Sequence, residues 1–319
     1  MSNPSRLKIL EQSGPSVGLQ LFSLRIAAAL SGLLQNRGMQ RFTWDLARLF
    51  DHRNAVVVEL PSGGKLEVYL DDGYWSRVFL SNFKYEPDVD YVLRYAVTLP
   101  DIYFLDLGAN IGYWSVVASK LLPPGRVLAL EASPPQYERL SRNSELNDRS
   151  FEAIWGAVWQ RDGDTLSIVT HDLRHAGASV VNRREKAEQP GYHKFDVQSI
   201  TIDSICERYA QNPHAGIVIK LDVEDAEIQA LAGAQSVLNS RSVLVLYEDH
   251  GQDASCRVSE YFLDKLEFDI FYNNEHNTLT RMKSVADVKN VKKLTSMGYN
   301  FCACTPDSDF SRMLTSLSH

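Results

Sequence analysis

The feature that most constrains this chain is a short apolar run, Ile102–Asp106, which ends on an acidic residue and opens into Gly108, Asn110 and Gly112. A run of that length reads as a buried strand, and glycines just beyond it allow the sharp turn that carries a chain from a strand into a helix. A helical segment follows to Leu122 and stops at Pro123, Pro124 and Gly125. Val127–Leu130 reads as a second strand ending on Glu131. Ser133, with Pro134, Pro135 and Gln136 behind it, has the composition of a capping box at the next helix. Repeated strand, turn and helix imply a largely parallel sheet with helices on both faces. In such sheets ligands bind beyond the carboxyl ends of the strands, near the reversal of strand order.

The same alternation continues downstream. Ala153–Trp159 is a third strand, turned at Asp162 and Gly163 into an antiparallel run Thr165–Val169. Residues 171–196, with His171 and His175, read as a polar excursion that folds over the site as a lid. Ile202–Ala210 is helical, Ile217–Val223 is a central buried strand, and residues 226–238 form a helix capped near Gly233. Val243–Tyr247, Phe268–Tyr272 and Tyr299–Cys304 are further strands. Upstream, residues 1–16 read as a frayed tail and residues 17–36 and 39–51 as helices. Leu19, Phe22, Ile26, Leu30, Leu33 and Leu34 recur at the spacing of a packing face. Val56–Leu60 and Leu66–Leu70 form a hairpin, a short helix spans 74–82, and Pro87 opens a helix that ends before Pro100. The organisation expected is a helical extension over 1–54, a hairpin-and-helix segment covering the site over 55–100, and an α/β domain over 101–319. That domain is expected to be Rossmann-like and doubly wound, with a mostly parallel seven-stranded sheet and an antiparallel last strand.

Charge narrows the partners. The chain has a formal net charge of −7 and no block of lysine or arginine, so there is little electrostatic reason for it to bind nucleic acid. Its four cysteines fit no zinc spacing, and free thiols in a reducing cytoplasm are expected. Val17–Leu34 is mostly apolar, but Gln20 and Arg25 interrupt it. It reads as a packing helix rather than a membrane span, with a surface suited to a homodimer or to peripheral membrane contact.

The glycine interval separates two cofactor classes. A dinucleotide fingerprint places its last glycine five residues after its first, whereas Gly112 follows Gly108 by four, with Asp106 two residues ahead. This spacing is that of an S-adenosylmethionine turn, in which Asp106 pairs with the ammonium of the methionine moiety. Glu131, at the end of the second strand, is placed to accept hydrogen bonds from ribose hydroxyls. Farther on, strand alternation puts Lys220, Asp222 and Glu224 on one face, where Lys220 can hold Asp222 ionised. Glu248 and His250 share a face at the end of the next strand, and a histidine beside a carboxylate suits a general base for a hydroxyl. Asp222, Glu224, Glu248 and His250 are therefore the candidate catalytic set. A divalent metal on these hard oxygen donors is an alternative, but the metal-free reading is preferred and no metal ligand is assigned.

Tyr85–Pro87, Asp106–Gly112, Glu131, Thr201–Asp203, Lys220–Glu224 with Glu227, and Glu248 resemble the FkbM-type methyltransferase family in order and spacing. Ala157 with Asp162 and Gly163, Gly177–Ser179 and Tyr299–Pro306 extend the resemblance across residues 55–306. It implies a class I fold and O-methyl transfer from S-adenosylmethionine, with S-adenosylhomocysteine as product. The implied acceptor is a hydroxyl of a sugar, glycan or glycolipid, or of a polyketide-like metabolite. The cofactor contacts it implies are Glu86, Asp106, Gly108, Ala109, Asn110, Gly112, Glu131, Ala132, Ser133, Ala157 and Asp222. One departure stands out, because Asp225 occupies a position where the family usually has glycine. If that backbone needs a positive φ, aspartate tolerates it; if glycine clears space for substrate, Asp225 narrows the pocket. A nicotinamide dehydrogenase would need the longer glycine interval. A non-catalytic cofactor-binding or interaction protein on the same fold is the remaining alternative.

Overall fold

The computed structural model describes residues 8–33, 50, 53–81, 83–170, 178–179, 192–249, 255–274, 276–293 and 300–318. All of the helix expected at 39–51 except Phe50 lies outside these residues, as do His171, His175, His250, Gly177, Tyr299 and most of the expected 171–196 excursion.

The apolar runs form a central eight-stranded sheet. Its strands are β4 (Ile102–Leu107), β5 (Val127–Glu131), β6 (Glu152–Trp155), β11 (Gly216–Leu221), β12 (Val243–Glu248), β13 (Asp269–Asn273), β14 (Leu279–Met282) and β15 (Asn300–Cys304). Their order is β14-β13-β15-β12-β11-β4-β5-β6. β4, β5, β6, β11 and β12 are mutually parallel, and β15 runs antiparallel between β12 and β13. This is the expected Rossmann-like sheet, with β14 added as an eighth, edge strand. The order reverses at β4, since the chain moves outward through β5 and β6 and later returns to β4's other side as β11. The crevice at that reversal is where such a sheet takes its ligand.

Strand alternation divides the interior in two. Phe104, Val218, Leu244 and Cys302 face one core, whereas Leu105, Ile217, Val245 and Ala303 face the other. The second core is closed by residues of the helices Ile202–Tyr209, Glu227–Ala232, Gln235–Ser240 and Arg257–Asp264. The first is closed by Tyr113–Leu121 and Asp309–Ser316, and also by the N-terminal segment with its helices Gly73–Leu80 and Pro87–Ala96. The N-terminal segment is therefore built into the face that carries the even-numbered residues of β4, β11 and β12, among them Asp106 and Lys220.

Two smaller sheets flank this body. One has the order β1-β2-β3, from β1 (Lys8–Ser13), β2 (Ala55–Glu59) and β3 (Lys65–Tyr69). The expected hairpin is β2–β3, but Lys8–Ser13 is not a frayed tail. It pairs antiparallel along β2, with Lys8 and Glu59 3.0 Å apart, and so satisfies backbone groups on an otherwise open edge. The helix Val17–Leu33 also departs from expectation. Leu19 and Phe22 are more than 60% exposed, and Ile26 is exposed too, while Leu21 and Leu24 are buried. Gln20 fixes that rotation: it is buried, donating from Nε2 to Leu70 O at 3.0 Å and accepting from Asn54 Nδ2 at 2.6 Å.

The other small sheet has the order β7-β10-β8-β9, from β7 (Ala157–Val158), β8 (Thr165–Thr170), β9 (Ala178–Ser179) and β10 (His193–Ile200). The single strand expected over 153–159 is thus broken at Gly156, and β7 leaves the main sheet. Nor does β8 pair with it: β10 lies between them, antiparallel to β8 and parallel to β7. The six-residue β8–β10 register offers more hydrogen bonds than a two-residue hairpin at β7 would. The helix expected over 226–238 is also two helices. Gly233 packs so closely on Trp159 that a Cβ would lie 2.2 Å from its carbonyl oxygen. The second helix is capped by Asp203, which accepts from the Ser236 and Val237 amides. All four cysteines are free and buried.

Candidate active site

Beyond the carboxyl ends of β4, β5, β11 and β12 lies a cavity of about 390 Å³, in the size range of small-molecule sites. Its floor is the glycine turn. Gly108 (φ 82°), Asn110 (φ 54°) and Gly112 (φ 87°) all take left-handed backbone. At Gly108 a Cβ would stand 1.9 Å from the Asp222 carbonyl oxygen. The glycine therefore admits the neighbouring strand end, a role different from the ligand approach that the spacing alone evokes. Gly112 opens the helix Tyr113–Leu121, and a Cβ there would meet Leu140 Cδ1 at 2.6 Å. It shapes the turn from beneath and does not line the cavity, unlike Gly108, Ala109 and Asn110, which do.

Asp106 and Lys220 are register partners on β4 and β11, which sets both on the same face. Asp106 is buried and accepts from Ser115 Oγ at 2.5 Å. Burial pushes its carboxyl up to about 6, against the opposing pull of Ser115 and Lys220. Glu131 is also buried, accepting from the Asn110 amide at one oxygen and the Ser133 amide at the other, each at 2.8 Å. Burial still pushes it up to about 7, although these amides favour the charged form. Ser133 thus spends its amide on Glu131, and its side chain makes no cap to the helix Pro134–Leu146, contrary to the capping-box reading. Ala132, Ser133 and Ala157 line the cavity beside Glu131.

The opposite wall comes from the N-terminal segment. Glu86 takes left-handed backbone (φ 39°) ahead of Pro87, accepts from Trp114 Nε1 at 2.7 Å and lies 3.8 Å from Lys220 Nζ. Burial and the nearby Asp222 push Glu86 up to about 7, against Lys220 and Trp114. Lys220 is buried and also contacts Asp222 at 3.2 Å. Burial opposes its charge, yet Asp222, Glu86 and Asp106 together hold its pKa above the ordinary value. Tyr74, Trp75, Tyr85, Tyr113 and Trp114 complete this wall, with Trp75 on Tyr113 and Tyr85 on Trp114 stacked at 6.0 Å. Trp75 Nε1 donates to Asn110 Oδ1 at 3.0 Å, joining wall to turn. Asp72 caps the helix Gly73–Leu80 through the Tyr74 and Trp75 amides and pairs with Arg139 at 2.9 Å, which ties the wall to the helix after Glu131.

Of the candidate catalytic residues, Asp222, Glu224 and Glu248 line the cavity, and His250 lies outside the described residues. The alternation expected through Glu224 fails, since β11 ends at Leu221 and Val223 lines the cavity as well. Glu224 (φ 46°) and Asp225 (φ 73°) instead turn the backbone left-handed. The positive φ accounts for aspartate at 225, and Asp225 does not line the cavity. The aromatic wall went unread in the sequence, although Tyr113 and Trp114 adjoin the glycine turn. Among the described residues no group of three or more His, Cys, Asp or Glu side chains converges as a metal site, and no helix is long and apolar enough to cross a membrane.

Comparison with known proteins places this chain in a family. The FkbM methyltransferase domain matches residues 106–279, from the acid of the glycine turn to β14. Methyltransferase sdnD of Sordaria araneosa is 27% identical over 154 residues, or 41% of this chain. The chain spans about 60% of the length of that curated relative. Methyltransferase FkbM of Methylobacillus flagellatus, a solved structure, aligns over 74% of this chain and 54% of its own, with 13% identity and a TM-score of 0.38. Precorrin-6y C5,15-methyltransferase of Geobacter metallireducens aligns over 68% and 87%, with 12% identity and a TM-score of 0.35. With more than half of its residues matched by the domain, this chain belongs to the FkbM methyltransferase family.

Proposed function

We propose that this protein is an S-adenosylmethionine-dependent O-methyltransferase that acts on a hydroxyl of a sugar, a glycan or a related secondary metabolite. The observation that carries the reading is that one cavity gathers the buried acids Asp106 and Glu131 with a second acidic group, Asp222, Glu224 and Glu248. The donor set fits the cofactor. Asp106 and Glu86 suit an ammonium, the aromatic faces suit a sulfonium, and each Glu131 oxygen keeps a lone pair for a ribose hydroxyl. Ala109, Asn110, Ala132, Ser133 and Ala157 would hold the remainder. When bound, S-adenosylmethionine supplies an electrophilic methyl carbon and leaves as S-adenosylhomocysteine.

The chain's own task is to align the acceptor oxygen and take its proton. Asp222 is held at Lys220, within the same cavity as Glu224 and Glu248. In this reading one of those three, or His250, accepts the hydroxyl proton. The four buried free cysteines accord with a reducing compartment, and the reading places the enzyme in the cytoplasm. The exposed Leu19, Phe22 and Ile26 would serve a second copy or a membrane surface; monodisperse monomers that ignore liposomes would exclude both.

The test is transfer of labelled methyl to a panel of sugars, lipid-linked glycans and macrolides. Wild type is expected to label a hydroxyl, and Asp222→Asn or Glu248→Gln to lose about 10²-fold or more if that residue is the base. Full turnover in Asp222→Asn, Glu224→Gln, Glu248→Gln and His250→Ala alike would sink the base assignment. Labelling on nitrogen or carbon alone would sink the O-methyl reading.

A further inference from the structure

Glu86 occupies a conformation that few residues take. Its backbone is left-handed (φ 39°), and it stands directly before Pro87, a position that favours extended backbone. It is also the N-cap of the helix Pro87–Ala96, yet its side chain makes no cap there. The carboxylate is turned into the cavity instead, where it accepts from Trp114 Nε1 at 2.7 Å and lies 3.8 Å from Lys220 Nζ. A backbone conformation of this kind persists only where neighbouring contacts over-determine it.

Asp88 supplies those contacts. It is 6% exposed and does the capping that Glu86 forgoes, its carboxylate accepting from its own amide and from that of Val89. The same carboxylate accepts from the Asn300 side-chain amide, and the Asp88 carbonyl oxygen accepts from Asn273 Nδ2 at 3.3 Å. Both asparagines are buried. Asn273 closes β13, and Asn300 opens β15 as the register partner of Glu248. Val89, Val92 and Leu93 bury the body of the helix in the first core, which fixes its axis. The polar ties fix its first turn to the main sheet, two residues from Glu86.

We propose that Asp88 is a positioning residue for cofactor binding: tied to Asn300 and Asn273, it fixes the left-handed turn at Glu86 that aims this carboxylate at the cofactor's ammonium. Asp88 does not line the cavity and acts through Glu86. This rests on the methyltransferase reading above, in which Glu86 suits that ammonium.

The experiment measures, by calorimetry on the whole chain, the affinity for S-adenosylhomocysteine, which keeps the ammonium of the methionine moiety. The variants are Asp88→Ala, Asp88→Asn, Glu86→Gln and the double variant Asp88→Ala with Glu86→Gln. Asp88→Ala and Glu86→Gln are each expected to weaken binding about tenfold. The double variant should lose no more than either single one, because both act through one carboxylate. Asp88→Asn removes the charge but keeps an acceptor for Asn300 and for the helix amides, so it should bind within about threefold of wild type. Wild-type affinity in Asp88→Ala, losses that add in the double variant, or an Asp88→Asn protein as weak as Asp88→Ala would overturn the proposal. If Asp88→Ala does not fold, Asn300→Ala, which leaves the helix cap in place, enters the same cycle with the same outcomes. Failure of wild type to bind S-adenosylhomocysteine, or wild-type affinity in Glu86→Gln, would instead overturn the cofactor reading beneath it.

Discussion

The two ends of the cavity are built on different principles. At the turn end, Gly108–Gly112 and Glu131 are held by backbone: left-handed φ values, amides donating to Glu131, and a carbonyl of the next strand pressed against Gly108. At the other end Glu86, Lys220 and Asp222 are held by one another, across 136 positions of sequence from Glu86 to Asp222, through ion pairs of 3.2 and 3.8 Å. Backbone fixes a shape that a single added atom destroys. A charge cluster has a state that can be altered by one proton. The first kind of site suits a ligand recognised by its shape, and the second suits one recognised by its charge.

The sharpest way to break this contrast is at Gly108. An added methyl there collides with backbone that cannot swing aside, on a residue already at φ 82°. We expect Gly108→Ala to lose about 3 kcal/mol or more of stability and to abolish cofactor binding, measured by urea denaturation and calorimetry. Gly63 is the control: it has a similar φ of 86° with nothing within 4 Å, so Gly63→Ala should cost only about 1 kcal/mol. Equal losses at the two positions would mean that conformation, and not the close approach of β11, governs the turn.

At the charged end the corresponding substitution is Lys220→Met. It leaves Glu86 and Asp222 facing each other without their shared cation in a largely buried site. Asp222 keeps 30% of its side chain in solvent and Glu86 can take up a proton, so the loss should stay near about 2 kcal/mol. Methyl transfer should fall further than stability does. A fully active Lys220→Met protein would show that the cluster is structural ornament.

These two ends were also unequally legible in the sequence. The turn was readable because its constraint is local: an apolar strand, an acid and two glycines within the eleven residues Ile102–Gly112 report backbone geometry directly. The charged end was readable as a set of acids but not as an arrangement. Alternation predicts Glu224 on a strand face, yet β11 stops at Leu221 and two left-handed residues follow, a change that no periodicity announces. The aromatic wall depends on the N-terminal segment folding over the even face of β4 and β11, which is a tertiary fact. The same limit explains β7–β10, where a distant strand, with Ser199 opposite Ala157, displaced the obvious hairpin, and the outward turn of Leu19 and Phe22, which the buried Gln20 decides.

Protons sharpen the comparison further. Glu86 and Glu131 both stand at about 7, above the ordinary 4.5, because burial disfavours their charge. The folded chain therefore binds these protons more tightly than the unfolded one. Their stabilising contribution is fully present below about pH 4.5 and is lost as the pH rises through about 7. A cationic cofactor favours the ionised forms, so its affinity should run the other way and weaken from pH 8 to pH 6. Calorimetry in buffers of different ionisation enthalpy should detect protons released on binding near pH 6.5, and Glu131→Gln should release fewer. Affinity that is flat across this range would remove these carboxylates from cofactor binding.

The smallest effect is expected at Asp225, where the two principles meet. Its φ of 73° is a backbone demand like that of Gly108, but it stands at the edge of the charged end and outside the cavity lining. If the backbone alone sets this position, Asp225→Gly should be close to neutral in stability, because relief of the left-handed conformation offsets glycine's added freedom in the unfolded chain. Asp225→Ala, which keeps the Cβ and loses the short polar group that tolerates this conformation, should cost about 1 kcal/mol. Neither variant should alter which acceptors are methylated. A changed acceptor preference in Asp225→Gly, with stability intact, would show that this carboxylate reaches the substrate after all and that the charged end extends one residue beyond the cavity lining.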